Sequence, residues 1–334
     1  AKPIVNLMAK EFEMRKAAYR TKRAKTSTKG SLDVTKLHAY KYDDNLFKQV
    51  TTLADGKSHG LMMLVDYSGS MHDVMPAVIR QTITLVMFCK RVGIPFQVYG
   101  FTSPHAGMDR TLELDKSVSR FDSSDLQMIE LYSSSMSKKD LEFAMRTAIY
   151  AAHDPYYFQS RLDRLGNTPL NSAMMAMQYA IEDFRKKHPV DKMRLITLTD
   201  GESNGVRINE GNDLRGDDRA WNWKTPIITE VNKKKIELAR GYQASHENTA
   251  KIIRAVCGDD ISVMNFFIAD NRGLRQELYR IFPFKESKQQ AARKQMRDTG
   301  AFVIDGDIGY DRRFIIANKG NAISSQSDDL EVAE

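Results

Sequence analysis

Carboxylates and hydroxyls recur in three places where a buried segment gives way to a loop. Asp66, Ser68 and Ser70 follow the apolar run "GLMMLVD" in "GLMMLVDYSGSM". Thr168 lies in "RLGNTPLNSA", with Pro169 at a helix-start position. Asp200 ends "ITLTDG", just before Gly201. Serine nucleophiles are not expected, because there is no Gly-x-Ser-x-Gly elbow and Ser68 and Ser70 have no evident base. A second reading has Asp66 and the serines capping the helix that follows. It accounts for one loop and leaves Thr168 and Asp200 unexplained.

Other motifs are weaker. Gly56-Lys57-Ser58 resembles the end of a phosphate-binding loop, but Thr51 stands where that pattern needs glycine. His59, His72 and His105 show no paired ligand spacing, so they read as surface or capping residues. Cys89 and Cys257 make neither a disulfide framework nor a metal pattern, and a reducing, cytoplasmic compartment is the expectation. Arg215-Gly216-Asp217 reads as a chance tripeptide in a polar loop.

The elements that must position these groups alternate along the chain. "HGLMMLVD", "IPFQVYGFT", "MRLITLTDG", "ISVMNFFIAD" and "GAFVIDGD" read as strands. Helical spacing falls between them, at 74–92, "KKDLEFAMRTAIYAAH", "PLNSAMMAMQYAIEDFRKK" and "RGLRQELYRIF". "TEVNKKKIELARGYQASHENTAKIIRAVC" reads as helix in two pieces broken near Gly241. Apolar strands without inside/outside alternation, separated by helices, predict an α/β fold with a Rossmann-like, doubly wound, mostly parallel sheet. Sites in such sheets sit beyond the strand C-termini, where the connections switch sides.

Residues 4–24 predict an amphipathic helix, and "LFKQVTTLADG" a first edge strand. The domain reading is a helical, basic extension over 1–57, a main domain over 58–310 with a polar insertion at 203–226, and a C-terminal tail over 311–334. Of the +7 formal charge, much falls in Lys10–Lys29. A solvated helix and linker is the expectation for that segment, and nucleic-acid binding is not expected. No apolar run approaches the ~18 residues of a membrane span, so a membrane role is not expected either.

The set Asp66, Ser68, Ser70, Thr168 and Asp200 resembles the metal-ion-dependent adhesion site of the von Willebrand factor A (vWA) family, Asp-x-Ser-x-Ser, then Thr, then Asp. The resemblance spans about residues 58–305. It implies that Mg²⁺, or Mn²⁺ or Ca²⁺ in its place, binds directly to Ser68, Ser70 and Thr168. Asp66 and Asp200 would hold waters and orient the hydroxyls. Neutral direct ligands leave such an ion free to recruit an Asp or Glu from a protein partner. The longer stretch "RTKRAKTSTKGSLDVTKLHAYKYDDNLFKQVTT…HGLMMLVDYSGSM" is similar to CobT-type vWA proteins, including those of tailed phages. That likeness implies an adaptor working with a ring-forming AAA+ ATPase (MoxR/CobS-type), not an enzyme by itself. The alternatives are a subunit of a cobalt or magnesium chelatase, or a phage structural or assembly protein in host cytoplasm or virion. The departure is the polar segment 203–226, whose Asp213, Asp217 and Asp218 are carboxylates beside the expected site, with Trp221 and Trp223 at its end.

Overall fold

The computed structural model describes residues 2–22, 25–27, 50–52, 58–103, 120–122, 126–153, 165–201, 203–204, 207–209, 227–239, 244–269 and 271–317. Its centre is a seven-stranded sheet. The strands are β3 (His59–Asp66), β4 (Phe96–Thr102), β6 (Gln127–Ser133), β7 (Lys192–Thr199), β11 (Ile261–Ala269), β12 (Ala301–Asp305) and β13 (Arg312–Ala317). Three two-stranded ribbons stand apart from it. They pair β1 (Lys25–Ser27) with β2 (Val50–Thr52), β5 (Arg120–Asp122) with β8 (Arg207–Asn209), and β9 (Ile227–Val231) with β10 (Lys234–Leu238).

The sheet order is β12-β13-β11-β7-β3-β4-β6. From β13 to β4 every pairing is parallel, and β12 and β6 close the two edges antiparallel. From β3 the chain moves outward through β4 to β6. It then returns to β7 and moves outward the other way. The order therefore reverses between β3 and β7, and the C-terminal ends of those strands flank the switch point where open α/β sheets build their sites.

Helices lie on both faces, as the apolar strands require. They are α1 (Lys2–Lys22), α2 (Met75–Val92), α3 (Lys138–His153), α4 (Leu170–Lys187), α5 (Ser245–Cys257), α6 (Asn271–Ile281) and α7 (Glu286–Thr299). β3 shows why alternation is missing from its sequence. Met62 and Leu64 pack with α4 and α5, whereas Met63 and Val65 pack with α2 and α3. α6 and α7 make a smaller cluster with Phe267 and Ile315 at the far edge. α2 starts with Pro76 in its first turn and stops at Gly93, whose φ of 71° is the left-handed helix end that glycine permits. α1 lies on α2: Val5 and Ala9 are buried, Phe12 meets Phe88 edge-on, and Arg91 donates to Asn6 Oδ1 at 2.7 Å.

Several sequence expectations change. The first half of the 229–257 stretch is not helix but the β9–β10 hairpin. Its turn places Asn232 and Lys233 at φ 48° and 63°, the geometry of tight hairpin turns. The hairpin docks because Asn232 Nδ2 donates to the Ala255 and Val256 carbonyls at the end of α5. The tail expected from 311 begins instead with β13, an interior strand beside β11. Its Arg313 is buried, and only its partners make that possible: Glu277, Asp307 and Asn265 Oδ1 all accept from it. "VTT" of the expected edge strand pairs with β1 in a ribbon and not with the main sheet. β6 and α7 were not anticipated. Of the expected insertion 203–226, residues 203–204 and 207–209 are described, the last three as β8; the expectations for 210–226 and for the polar end 318–334 lie outside the described residues.

Candidate metal-binding site at the strand switch point

Asp66 is the last residue of β3 and is fully buried. It faces the α4 side with Leu64, as Thr199 does at the end of β7. Thr199 Oγ1 donates to Asp66 Oδ2 at 2.7 Å, and the Ser68 amide donates to Asp66 Oδ1 at 2.9 Å. Burial pushes the Asp66 carboxyl up to about 7; the Thr199 and Ser68 bonds oppose the rise and the Asp200 charge adds to it. Asp66 is thus engaged in orienting the loop and unavailable to solvent.

The two serines stand over it. Ser68 Oγ and Ser70 Oγ are 3.1 Å apart, and Ser70 Oγ donates to Asp200 Oδ1 at 2.9 Å. Ser68 Oγ lies 3.5 Å from the same carboxylate oxygen. Ser68 is buried and Ser70 exposed, so the cluster opens outward through Ser70. Neither serine caps α2, whose N-cap position is Val74 with no side-chain cap. The capping alternative therefore fails for the serines, while Asp66 does brace the turn through the Ser68 amide.

The loop carrying Thr168 is laid against this turn by main-chain bonds. Gly69 N–H donates to Gly166 O at 2.8 Å, and Gly166 N–H donates to Tyr67 O at 3.1 Å. A Cβ at 166 would lie 2.5 Å from Ser103 Oγ, 2.9 Å from Thr102 Oγ1 and 3.0 Å from Ser103 O, so a larger residue fits only if these groups shift. Thr168 is buried, and its Oγ1 is 3.7 Å from where a Cβ on Gly201 would stand, beside Asp200. The Asn204 amide donates to Thr168 O at 2.9 Å, joining this loop to the one after β7. All five residues singled out in the sequence are therefore brought to one place.

Sequence reasoning missed the support around them. Thr199 is one such residue; its position before Asp200 at a strand end was the available signal. Ser203 is another: its Oγ accepts from the Asn171 amide, its carbonyl accepts from Ser245 Oγ, and Thr249 Oγ1 donates to Asn171 Oδ1 at 2.7 Å. This buried chain ties the starts of α4 and α5 to the site. Nothing in the linear spacing links 171, 203, 245 and 249.

Oxygen is the only donor element in the cluster: three hydroxyls and two carboxylates. Among the described residues, no group of three or more His, Cys, Asp or Glu side chains that could hold a metal ion assembles, at this cluster or elsewhere. An all-oxygen set with few charges fits a hard divalent cation and fits poorly a soft one. Among the described residues, no helix is long and apolar enough to cross a membrane.

No protein-family model and no curated protein matches the sequence. Among solved structures, the chain is similar to the pilus adhesin SpaC from Lactobacillus rhamnosus GG at 14% identity, over 64% of this chain and 24% of that one, with a TM-score of 0.37. It is similar to proximal thread matrix protein 1 of the mussel byssus at 12% identity, over 75% and 50% of the two chains, TM-score 0.32. The vWF domain of the type V pili tip protein Mfa5 from Porphyromonas gingivalis aligns at 10% identity over 84% of this chain and 99% of that domain, TM-score 0.38. The chain thus spans about a quarter of SpaC and half of the byssus protein. These likenesses are low in identity and in superposition, so fold and site rest on the strand order and contacts above.

Proposed function

We propose that this chain is a vWA-type binding domain, and that a divalent cation held at the switch point recruits a carboxylate from a protein partner. The observation that carries the reading is the convergence of Asp66, Ser68, Ser70, Thr168 and Asp200, from three separated loops, on one strand-end site. Ser68, Ser70 and Thr168 would hold the ion, with Asp66 and Asp200 fixing the hydroxyls. A bound Mg²⁺ (or Mn²⁺ or Ca²⁺) would supply an electrophilic centre to which a further oxygen ligand can be added. The chain's own part is positional. Thr199 and the Ser68 amide hold Asp66 still, Gly166 fixes the two loops together, and exposed Ser70 marks the side on which a partner arrives.

The CobT-type likeness of the segment before β3 extends the proposal: the partner is an AAA+ ATPase ring or the substrate complex it remodels, and the chain acts as an adaptor without catalysis of its own. Calorimetry with MgCl₂ on wild type and Ser70→Ala tests the ion. Binding in wild type and loss in the variant is expected. Equal heats in the two proteins would sink the assignment. Pull-down of a candidate partner with and without EDTA then tests recruitment.

A further inference from the structure

Beside the metal loops the fold leaves a second concavity that the proposal above does not use. β6 runs antiparallel to β4, and α3 leads back along it toward the strand ends that carry the site. Between α3 and β6 lies a cavity of about 250 Å³. Its α3 wall carries Ala144, Ala148, Ala151 and Ala152 beside Phe143 and Thr147, Leu131 faces them from β6, and His72 and Glu130 are the charged or titratable residues on its lining. Its upper end is made by Tyr67 and Leu165. An apolar cavity of ~150 Å³ is enough to take benzene, so this one holds a side chain the size of Phe or Leu.

The cavity and the candidate metal site share one backbone. Tyr67 stands between Asp66 and Ser68, and Leu165 precedes Gly166. The Tyr67 carbonyl accepts from Gly166 N–H at 3.1 Å, and its own amide donates to Phe101 O at 2.9 Å. With its main chain fixed in the metal loop, the Tyr67 ring packs down toward β4, 3.0 Å from where a Cβ on Gly100 would be. At the rim, Phe143 is 72% exposed, an aromatic face left to water next to the opening.

We propose that this cavity is a second subsite of the same recognition surface: it takes the side chain of a large apolar residue that neighbours the acidic residue in the partner's chain. The inference rests on the metal-dependent reading above, since the carboxylate on the ion would fix the partner at the cavity mouth. The cation then selects for charge, and the alanine-walled cavity selects for the adjacent side chain. Partners with an acidic residue and no large apolar neighbour would bind weakly.

Short capped peptides test this, each with one Glu and, one to three positions away, either Phe or Ala in a Gly/Ser background. Wild type, Ala148→Leu and Ala151→Leu are titrated with them in Mg²⁺ and in EDTA, with Mg²⁺ calorimetry and circular dichroism as controls. At one spacing the Phe peptide should bind wild type about tenfold or more tightly than its Ala counterpart. Both leucine variants, which fill the cavity from successive turns of α3, should lose that advantage while retaining Mg²⁺ and weak Glu-peptide binding. No Phe advantage at any spacing, with Mg²⁺-dependent binding intact, overturns the subsite and leaves the metal reading standing. A Phe advantage that survives EDTA overturns the coupling between the two. Absence of Mg²⁺ binding in wild type removes the metal reading and this inference with it.

Discussion

Thr199 Oγ1 donates to Asp66 Oδ2 at 2.7 Å and so ties the end of β7 to the end of β3 across the point where the sheet order reverses. Both residues are almost wholly buried, so neither can exchange the other for water. Replacing Thr199 by Val keeps the shape and leaves a buried carboxyl without one partner. The expected loss is about 1–3 kcal/mol in urea unfolding, together with weaker Mg²⁺ binding. A variant as stable as wild type would mean that Asp66 is not held through this bond.

Ser70 gives the opposite pattern. Its side chain is exposed and bonds only to groups within the cluster, Asp200 and Ser68. Ser70→Ala should change stability by less than about 0.5 kcal/mol, the range for surface positions. Divalent binding should still be lost, because a hydroxyl ligand is gone. A thermal scan with and without MgCl₂ checks both at once: wild type should be stabilised by the salt of the ion and the variant should not.

Interior strand β3 was legible because burial on both faces writes itself as an unbroken apolar run, "GLMMLV", and β11 because "ISVMNFFIA" is interrupted only by Ser262 and Asn265. Asp66 and Asp200 stand out because a carboxylate straight after an apolar strand has few reasons to be there, whereas Thr168 follows no such run and is singled out through the resemblance to the vWA site pattern. What escaped depends on partners distant in sequence. β13 falls inside the expected C-terminal tail, and only the fold supplies Glu277 and Asn265 to the second arginine of "RRFIIA". β6 is an edge strand whose Glu130 interrupts a short apolar run. The β9–β10 hairpin is hidden in the sequence because its lysines and glutamates resemble the solvent face of a helix, and "VNKK" makes its turn without glycine.

That turn makes its own prediction. Asn232 holds a left-handed φ of 48° and bonds two carbonyls at the end of α5. Asn232→Ala removes both bonds and places a residue with less tolerance of that region there. The expected cost is about 1–3 kcal/mol. Asn232→Gly should recover part of it by relieving the backbone, though it restores neither bond. Equal losses for Ala and Gly would assign the whole effect to the hydrogen bonds.

The far side of the sheet carries a buried charge cluster whose response to pH has a definite sign. Glu277 on α6 accepts from Arg280 Nη2 at 2.7 Å and from Arg313 of β13. Asp307 accepts from Arg280 Nη2 at 2.5 Å and from Arg313 Nη1 at 2.9 Å. Burial by itself would raise both carboxyls, but the two guanidiniums outweigh it and hold each below the usual carboxylate range. A carboxylate whose folded pKa is depressed stabilises the fold above its unfolded value, ~4 for Asp and Glu. That contribution is lost as pH falls through the folded value. Wild type and Glu277→Gln should therefore differ most in urea-unfolding free energy near pH 7, and the gap should narrow as pH drops from about 5 toward 3. Arg313→Met tests the other half of the pair: it leaves buried Glu277 with Arg280 as its remaining cationic partner, and a loss of up to ~3–5 kcal/mol, the range for breaking a buried ion pair, is expected at neutral pH. A gap between wild type and Glu277→Gln that stays constant from pH 7 to pH 3 would mean that Glu277 is not held as a carboxylate by Arg313 and Arg280.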